Sequence, residues 1–420
     1  MKVVHVCLNR NGGAAAAAWR LHQALLQAGV NSWFYTLEPR GKENPAQQWI
    51  CWKEPAGGLL KRARTFAVRK YWQWHTAGRK RKLLEIAEEY QALSPSIQAE
   101  MVSLPDADKN LLEDPLLKDA DIIHLHWATL LLKHHEFFRR ARGRFALCWT
   151  FHDLNPISGI FHYRFDLERN PHAAALEQAV IAYKLECLGD YGRPVAAIAP
   201  NTWMLQQIAS SPFAHRFNTV EIPYSLPTIP DETLRREKAR SLLRIPSEKV
   251  VMLAVVESAS VARKQTDLLW KLAQSFPDIQ WEILGNVSGD WHPLNNICFR
   301  GFIHDSHQMQ MLYTAADALV ITSAEDNLPN VMLEAFACGT PVLSYAVGGM
   351  QQYVLSGVSG ETTHDLSATG FVELIRNWLS DRRSPDAESI RRFAQQHFGA
   401  EQVAAQYQRL YQQLQATISS

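Results

Sequence analysis

The chain has 420 residues, 47% of them hydrophobic and 20% charged, which excludes disorder and is too long for one ordinary core, so two domains are expected. Its 43 basic and 42 acidic residues leave a net charge of +1, which argues against a general nucleic-acid binder, because phosphate contacts demand a basic surplus. Six scattered cysteines without a C-x-x-C pair or metal-ligand spacing fit a reducing cytoplasm, and no run approaches the roughly 20 apolar residues of a membrane span or forms an evident secretion signal.

In chain order, VVHVCL (residues 3–8) reads as a buried strand. The bare stretch NGGAAAAA follows, and then a helix whose face carries Ala18, Leu21, Leu25 and Ala28 and which stops at Gly29. Gly12, Gly13 and Ala14 are read as a close-approach loop, because glycine tolerates positive φ and alanine adds no bulk. A stretch at 56–84 carries nine Lys or Arg and four aromatics without an acid. Two readings stay open for it: a basic helix lying on an anionic membrane surface through residues 58–82, or a solvated helix balancing acids such as Glu85 to Glu89. DIIHLHW (121–127), FALCWTF (145–151) and VAAIA (195–199) repeat the short apolar strand. The proline-rich, charged stretch 223–247 then reads as the passage between domains. Beyond it the pattern restarts with VVMLAVV (250–256), WEILG (281–285), ICFRGF (297–302), ALVIT (318–322) and PVLSY (341–345). The expected architecture is α/β, two doubly wound Rossmann-like units with ligands at the carboxyl ends of their strands. The expected domains are 1–225, 226–385 and a last amphipathic segment, 386–420, that covers one domain or crosses back to the first.

The densest chemistry lies at 323–349, SAEDNLPNVMLEAFACGTPVLSYAVGG. Asp326 and Asn327 are placed to cap a helix entered through Pro329, and Gly339 is placed to end it. Backbone N–H groups at such a helix start suit a phosphate or sugar oxygen without a metal. Glu334, on a mostly apolar helix, is either a surface glutamate or a buried one needing a partner, which a ribose diol supplies. Two D-x-D look-alikes, Asp106–Asp108 and Asp119–Asp121, are read as capping or turn residues rather than metal ligands.

EDNLPNVMLEAFACGTPV resembles the signature of glycosyltransferase family 4, the retaining, nucleotide-sugar-dependent enzymes of the GT-B fold. ADIIHLHW (120–127), WTFHD (149–153), the RK pair at 263–264, ADALVITS (316–323) and VGGMQQYV (347–354) agree with it in order. The resemblance is to the polysaccharide-biosynthesis branch. It implies two Rossmann-like domains facing a central cleft, the first binding a glycan or lipid-linked acceptor and the second a nucleotide diphosphate sugar as co-substrate, with no metal or other cofactor and no nucleic-acid partner. A cytoplasmic protein, peripheral at the inner membrane surface, follows.

By the same resemblance Glu334 holds the donor ribose and Asp326 contacts the donated sugar. Glu325, Asn327, Leu328, Pro329, Asn330, Gly348 and Gly349 line the donor site. The family usually has glutamate where Asp326 stands, which implies a closer sugar or an inward Glu325. Lys264 matches the lysine on the leaving diphosphate, and Arg263 takes the place of an arginine that relatives carry where this chain has Ala259; two cations serve a leaving diphosphate when no metal does. Alone, the pair would read as exposed cations, and His152 alone as a structural histidine; in this company His152 orients the sugar. Gly12, Gly13 and Ala14 are the acceptor and diphosphate loop. The departures at Asp326 and Ala259 keep an alternative open, a non-catalytic GT-B nucleotide-binding scaffold.

Overall fold

The computed structural model of the protein describes residues 1–37, 44–51, 77–107, 110–258, 260–286, 294–381 and 385–419. Two compact units divide it: Met1–Pro200, Met204–Ile222 and Ala404–Ser420 make up the first, Asn201–Trp203 and Pro223–Val403 the second.

Strands β1 (Lys2–Val6), β2 (Asn31–Thr36), β3 (Trp49–Cys51), β4 (Ile122–Leu125), β5 (Ala146–Thr150), β6 (Val195–Ala199) and β7 (Phe217–Glu221) form the sheet of the first unit. Their spatial order is β3-β2-β1-β4-β5-β6-β7, and every pairing is parallel. The second unit pairs β8 (Val251–Ser258), β9 (Gln280–Asn286), β10 (Ile297–Gly301), β11 (Ala318–Ile321), β12 (Val342–Tyr345) and β13 (Gly360–Thr363) in the order β10-β9-β8-β11-β12-β13, again all parallel. Parallel neighbours need long crossovers, whose helices cover both faces, so inner strands are buried throughout and read as unbroken apolar runs. Strands β4, β5 and β6 are buried at every position. The second core gathers Trp281, Ile283, Leu343, Tyr345 and Phe371. In each sheet the order turns back beside the first strand, between β1 and β4 and between β8 and β11, the place where doubly wound sheets open a ligand crevice.

Local readings needed correction. The glycines and alanine after β1 are not a loop: they open the helix Gly12–Gln27. Gly12 takes φ +82°, which favours glycine, yet nothing lies within 4 Å of where its Cβ would stand, so conformation rather than close packing selects it. The last amphipathic segment is two helices, Ala387–Phe398 and Ala400–Ser419, and the division of units falls at Val403, not before 386. The charged stretch after Pro223 contains the helix Arg236–Leu243, docked through buried Arg240, which donates to the Ala315 carbonyl and to Asp317.

Of the basic stretch 58–82, residues through 76 and the aromatics lie outside the described residues, as do Ala259 and Asp108. Its described end belongs to the helix Ala77–Leu93, where Arg79 pairs with Glu186 and Asp190, Lys82 with Glu186, and Arg81 with Glu85. Among the described residues no helix is long and apolar enough to cross a membrane.

Candidate functional site

In the second unit, the loops leaving β8 and β11 meet at the turning point of the sheet. The Ala324 N–H donates to the Arg263 carbonyl at 2.8 Å, and the Thr322 hydroxyl donates to the Lys264 carbonyl at 2.7 Å. Lys264 Nζ then reaches Asp326 Oδ2 at 2.5 Å, while Arg263 lies 3.6 Å from the same oxygen and donates to the Glu325 carbonyl. Asp326 is buried, which alone would raise its pKa, but the charges of Lys264 and Arg263 hold it below the ordinary carboxylate value. Gln265, next in the chain, sits at φ +48°, turning the backbone into the following helix, Thr266–Ser275.

The loop after β11 is clamped from the other side by Gly348 and Gly349, which follow β12. A Cβ on Gly348, at φ +53°, would overlap the Asp326 carbonyl oxygen, and the Gly349 N–H donates to the Asn327 carbonyl at 2.5 Å. Only glycine permits this approach. The helix Asn330–Cys338 starts behind Pro329, without the side-chain cap expected from Asp326 or Asn327. Asp326 is spent on Lys264 and on the Asn327 N–H, while the Asn327 side chain accepts from Asn201. Leu328 and Pro329 are buried, and Glu325 and Asn330 are half-buried, so Asp326 rather than Glu325 is the inward carboxylate. Glu334 lies on that helix, half-buried, and accepts from the Tyr313 hydroxyl at 2.7 Å. This partner, supplied by the helix Ser306–Ala315, had no signature in the sequence.

In the first unit, His152 follows β5 and is half-buried; burial lowers its pKa to about 4 despite the nearby Asp153 charge. Asp153 accepts from the Trp127 indole at 3.0 Å and the Asn155 N–H at 2.9 Å, and contacts His162 at 2.6 Å. Burial pushes that carboxyl up, but His162 and the backbone N–H outweigh it and hold it low. Asp153 therefore fixes the loop that follows, a structural task.

Residue-by-residue reading passed over the histidines of β1 and β4. In a strand, side chains two apart share a face, so His124 and His126 of DIIHLHW point the same way, and the β1–β4 register sets His5 beside His124. His5 Nδ1 lies 2.9 Å from His126 Nε2, and His126 Nδ1 lies 3.1 Å from His152 Nε2. His124 instead bonds the Tyr411 hydroxyl at 2.7 Å and the Thr150 hydroxyl at 2.8 Å. Burial lowers the pKa of all three well below 6.5. Ligand atoms of His5, His124 and His126 lie within 4.8 Å of one another, close enough for one metal ion. Every ring nitrogen of the three except His5 Nε2 nevertheless already carries a hydrogen bond, so a metal would have to displace these. Asp119 ends the helix Pro115–Lys118, and Asp121 accepts from the Lys2 N–H, both away from strand carboxyl ends.

Residues 236–397 match the family model described as Glycosyl transferases group 1. A D-inositol 3-phosphate glycosyltransferase from Xylanimonas cellulosilytica is 27% identical over 209 residues, 46% of this chain and 49% of that one; the chain thus spans about half the length of this curated relative. Among solved structures, sucrose-phosphate synthase from Thermosynechococcus elongatus superposes with a TM-score of 0.67 at 19% identity, covering 99% of both chains. Anabaena Alr3699/HepE in complex with UDP gives 0.61 at 16% identity, covering 98% of this chain and 100% of that one. Lys264, Asp326 and Glu334 all fall within 236–397, the stretch that matches the Glycosyl transferases group 1 model, and the two parallel α/β sheets of the chain share the GT-B fold of these structures.

Proposed function

We propose that the protein is a nucleotide-sugar-dependent glycosyltransferase that moves a sugar, with retention of configuration, to a hydroxyl of a glycan or lipid-linked acceptor in surface polysaccharide assembly. The observation that carries the reading is the meeting of Lys264, Arg263 and Asp326 at the carboxyl ends of β8 and β11, inside the matched domain. Lys264 and Arg263 stabilise the negative charge that develops on a departing nucleoside diphosphate. Glu334, oriented by Tyr313, receives the ribose hydroxyls, and Asp326, kept ionised, accepts from hydroxyls of the donated sugar. The loop Asn327–Asn330 and the glycines at 348 and 349 shape the donor site, and His152 contacts the sugar. The helix opened by Gly12, Gly13 and Ala14 adds positive potential at its N-terminus toward the diphosphate and acceptor. The departing phosphate itself helps remove the acceptor proton, so the protein supplies positioning and electrostatics. A lipid-linked acceptor would bring the basic stretch 58–82 to the inner membrane surface.

The test is a panel of UDP-, GDP-, ADP- and dTDP-sugars, scored by thermal shift and by release of the free nucleoside diphosphate. One nucleotide sugar is expected to raise Tm and to be slowly hydrolysed, and Lys264→Ala is expected to cut that turnover by roughly 100-fold or more with the fold intact. A nucleotide that stabilises the protein without turnover, even with lipid-linked acceptors present, would move the reading to a binding scaffold.

A further inference from the structure

From Ala404 on, the helix Ala400–Ser419 belongs to the first unit, and a groove of about 730 Å³ opens between it and the sheet. Ala146, Cys148 and Thr150 share one face of β5, and the β5–β6–β7 register sets Ala196 and Asn218 beside Cys148 on that same face. Over β4 and β5 the helix is fixed: the Tyr407 hydroxyl lies 3.1 Å from the Thr150 hydroxyl, and the Tyr411 hydroxyl lies 2.7 Å from His124 Nδ1. Both tyrosines are buried. Beside them the floor drops to the small residues Ala146 and Ala196, and the helix cannot settle onto that floor while the tyrosines hold it where it is. An interior packed to ordinary density would close such a gap. The 730 Å³ left open is within the range of small-ligand pockets, roughly 300–1,000 Å³.

Val220 on the sheet side and Leu410 and Leu414 on the helix side give the groove apolar walls. Its helix residues run from Gln406 to Thr417, about 16 Å along the axis, so it suits a long ligand rather than a round one. Its charges are of one sign: Arg193 and Arg409 line it, and no acidic residue does. Arg193 donates to the carbonyls of Phe145 and Thr417 and to the Tyr191 hydroxyl, all neutral acceptors, which leaves two of its five N–H groups over. Arg409 is exposed, and neither guanidinium has a carboxylate partner among the described residues. We infer that this groove is a binding site for a single-chain anionic amphiphile, which lays its apolar chain along Leu410 and Leu414 and turns its phosphate or carboxylate toward Arg193 and Arg409. Guanidinium groups take such acids through paired, charge-assisted hydrogen bonds. The groove reaches Leu147 near the start of β5 and Pro194 just ahead of β6, so it lies toward the amino ends of the strands, whereas His152 follows the carboxyl end of β5. The site is separate from the proposed transfer chemistry, and the inference does not depend on that reading.

Isothermal titration of the full chain with dodecyl phosphate, kept below its micelle concentration, tests the site. Saturable binding is expected. Inorganic phosphate, which lacks the chain, and dodecyltrimethylammonium, which carries the opposite charge, are each expected to bind at least about tenfold more weakly. Arg409→Gln, at an exposed position, is expected to weaken dodecyl phosphate about fivefold. Ala196→Leu, which raises the floor, is expected to weaken it further with the helical content unchanged by circular dichroism. Absence of saturable binding would overturn the inference. Equal binding of inorganic phosphate would make this a site for a free anion, and equal binding of the cationic amphiphile would make it an apolar surface blind to charge; either overturns it. Unchanged affinity in Arg409→Gln would place the ligand outside the groove and overturn it as well, a result that stands even where Ala196→Leu fails to fold.

Discussion

At the residue scale, Asp326 is held by its surroundings: its carboxylate meets Lys264 at 2.5 Å and the Asn327 N–H at 3.0 Å. Asp326→Asn leaves Lys264 and Arg263 facing each other without their counter-charge, and a loss of Tm together with reduced donor binding is expected, measured by thermal shift with and without nucleotide sugar. The sign of its pH dependence follows from a folded pKa held below the unfolded one. The stabilisation is fully present above the ordinary carboxylate range and is lost as pH falls through the depressed folded value. Gly348→Ala is expected to be more disruptive than its size suggests, because a Cβ there runs into the Asp326 carbonyl at a backbone angle of +53°. Loss of both fold stability and nucleotide binding in one variant is the expected outcome of a denaturation and a binding titration.

At the scale of elements, the helix Ala174–Gly189 explains why the loop after Asp153 holds its shape. Glu177, buried in that helix, accepts from the N–H groups of Gly159, Ile160 and Phe161. Lys184, about two turns further on, donates to the carbonyls of Asn155, Ser158 and Gly159. Burial brings the Lys184 pKa down to about 8, while the charges of Glu177 and Asp153 pull it up. One helix thus satisfies both the donors and the acceptors of a loop that makes no regular ladder, as buried backbone demands. Gly159 is required because a Cβ there would press on Glu177. Lys184→Met takes the ammonium donor from three carbonyls, of which that of Asn155 keeps the Ser158 N–H, and is expected to cost on the order of 2–3 kcal/mol in a urea denaturation, whereas replacing an exposed residue of the same helix should change little.

Over the whole molecule, the buried histidines set the response to acid. His5, His124 and His126 have pKa values well below 6.5, and His22, His134 and His152 fall to about 4, 3 and 4, all chiefly through burial. The unfolded chain takes up these protons near pH 6.5 and the folded one does not, so stability rises with pH across the window from about 4 to 6.5 and is lost as pH falls through it. Each such group adds a slope of about 1.4 kcal/mol per pH unit within its window. Unfolding midpoints in urea should therefore drop steeply from pH 6.5 to 5 and stay nearly flat from pH 7 to 8. The inner strands were legible because a strand buried on both faces must be apolar: VAAIA at 195–199 coincides with β6. Of the outer strands, ICFRGF at 297–302 matched β10, whereas β7, half exposed, and β13, GETT, without an apolar run, were not legible. Of the candidate site, the chain alone marked Lys264, Asp326 and Glu334, because those residue types recur in a recognisable local order. By itself the sequence determined the parallel α/β pattern, the near-zero net charge and the local motifs, all properties of neighbours along the chain. Only the tertiary structure decided that Lys264 meets Asp326, that Tyr313 donates to Glu334 and that His126 comes within hydrogen-bond distance of both His5 and His152, because each pairing depends on strand register and crossover, which join residues far apart in sequence.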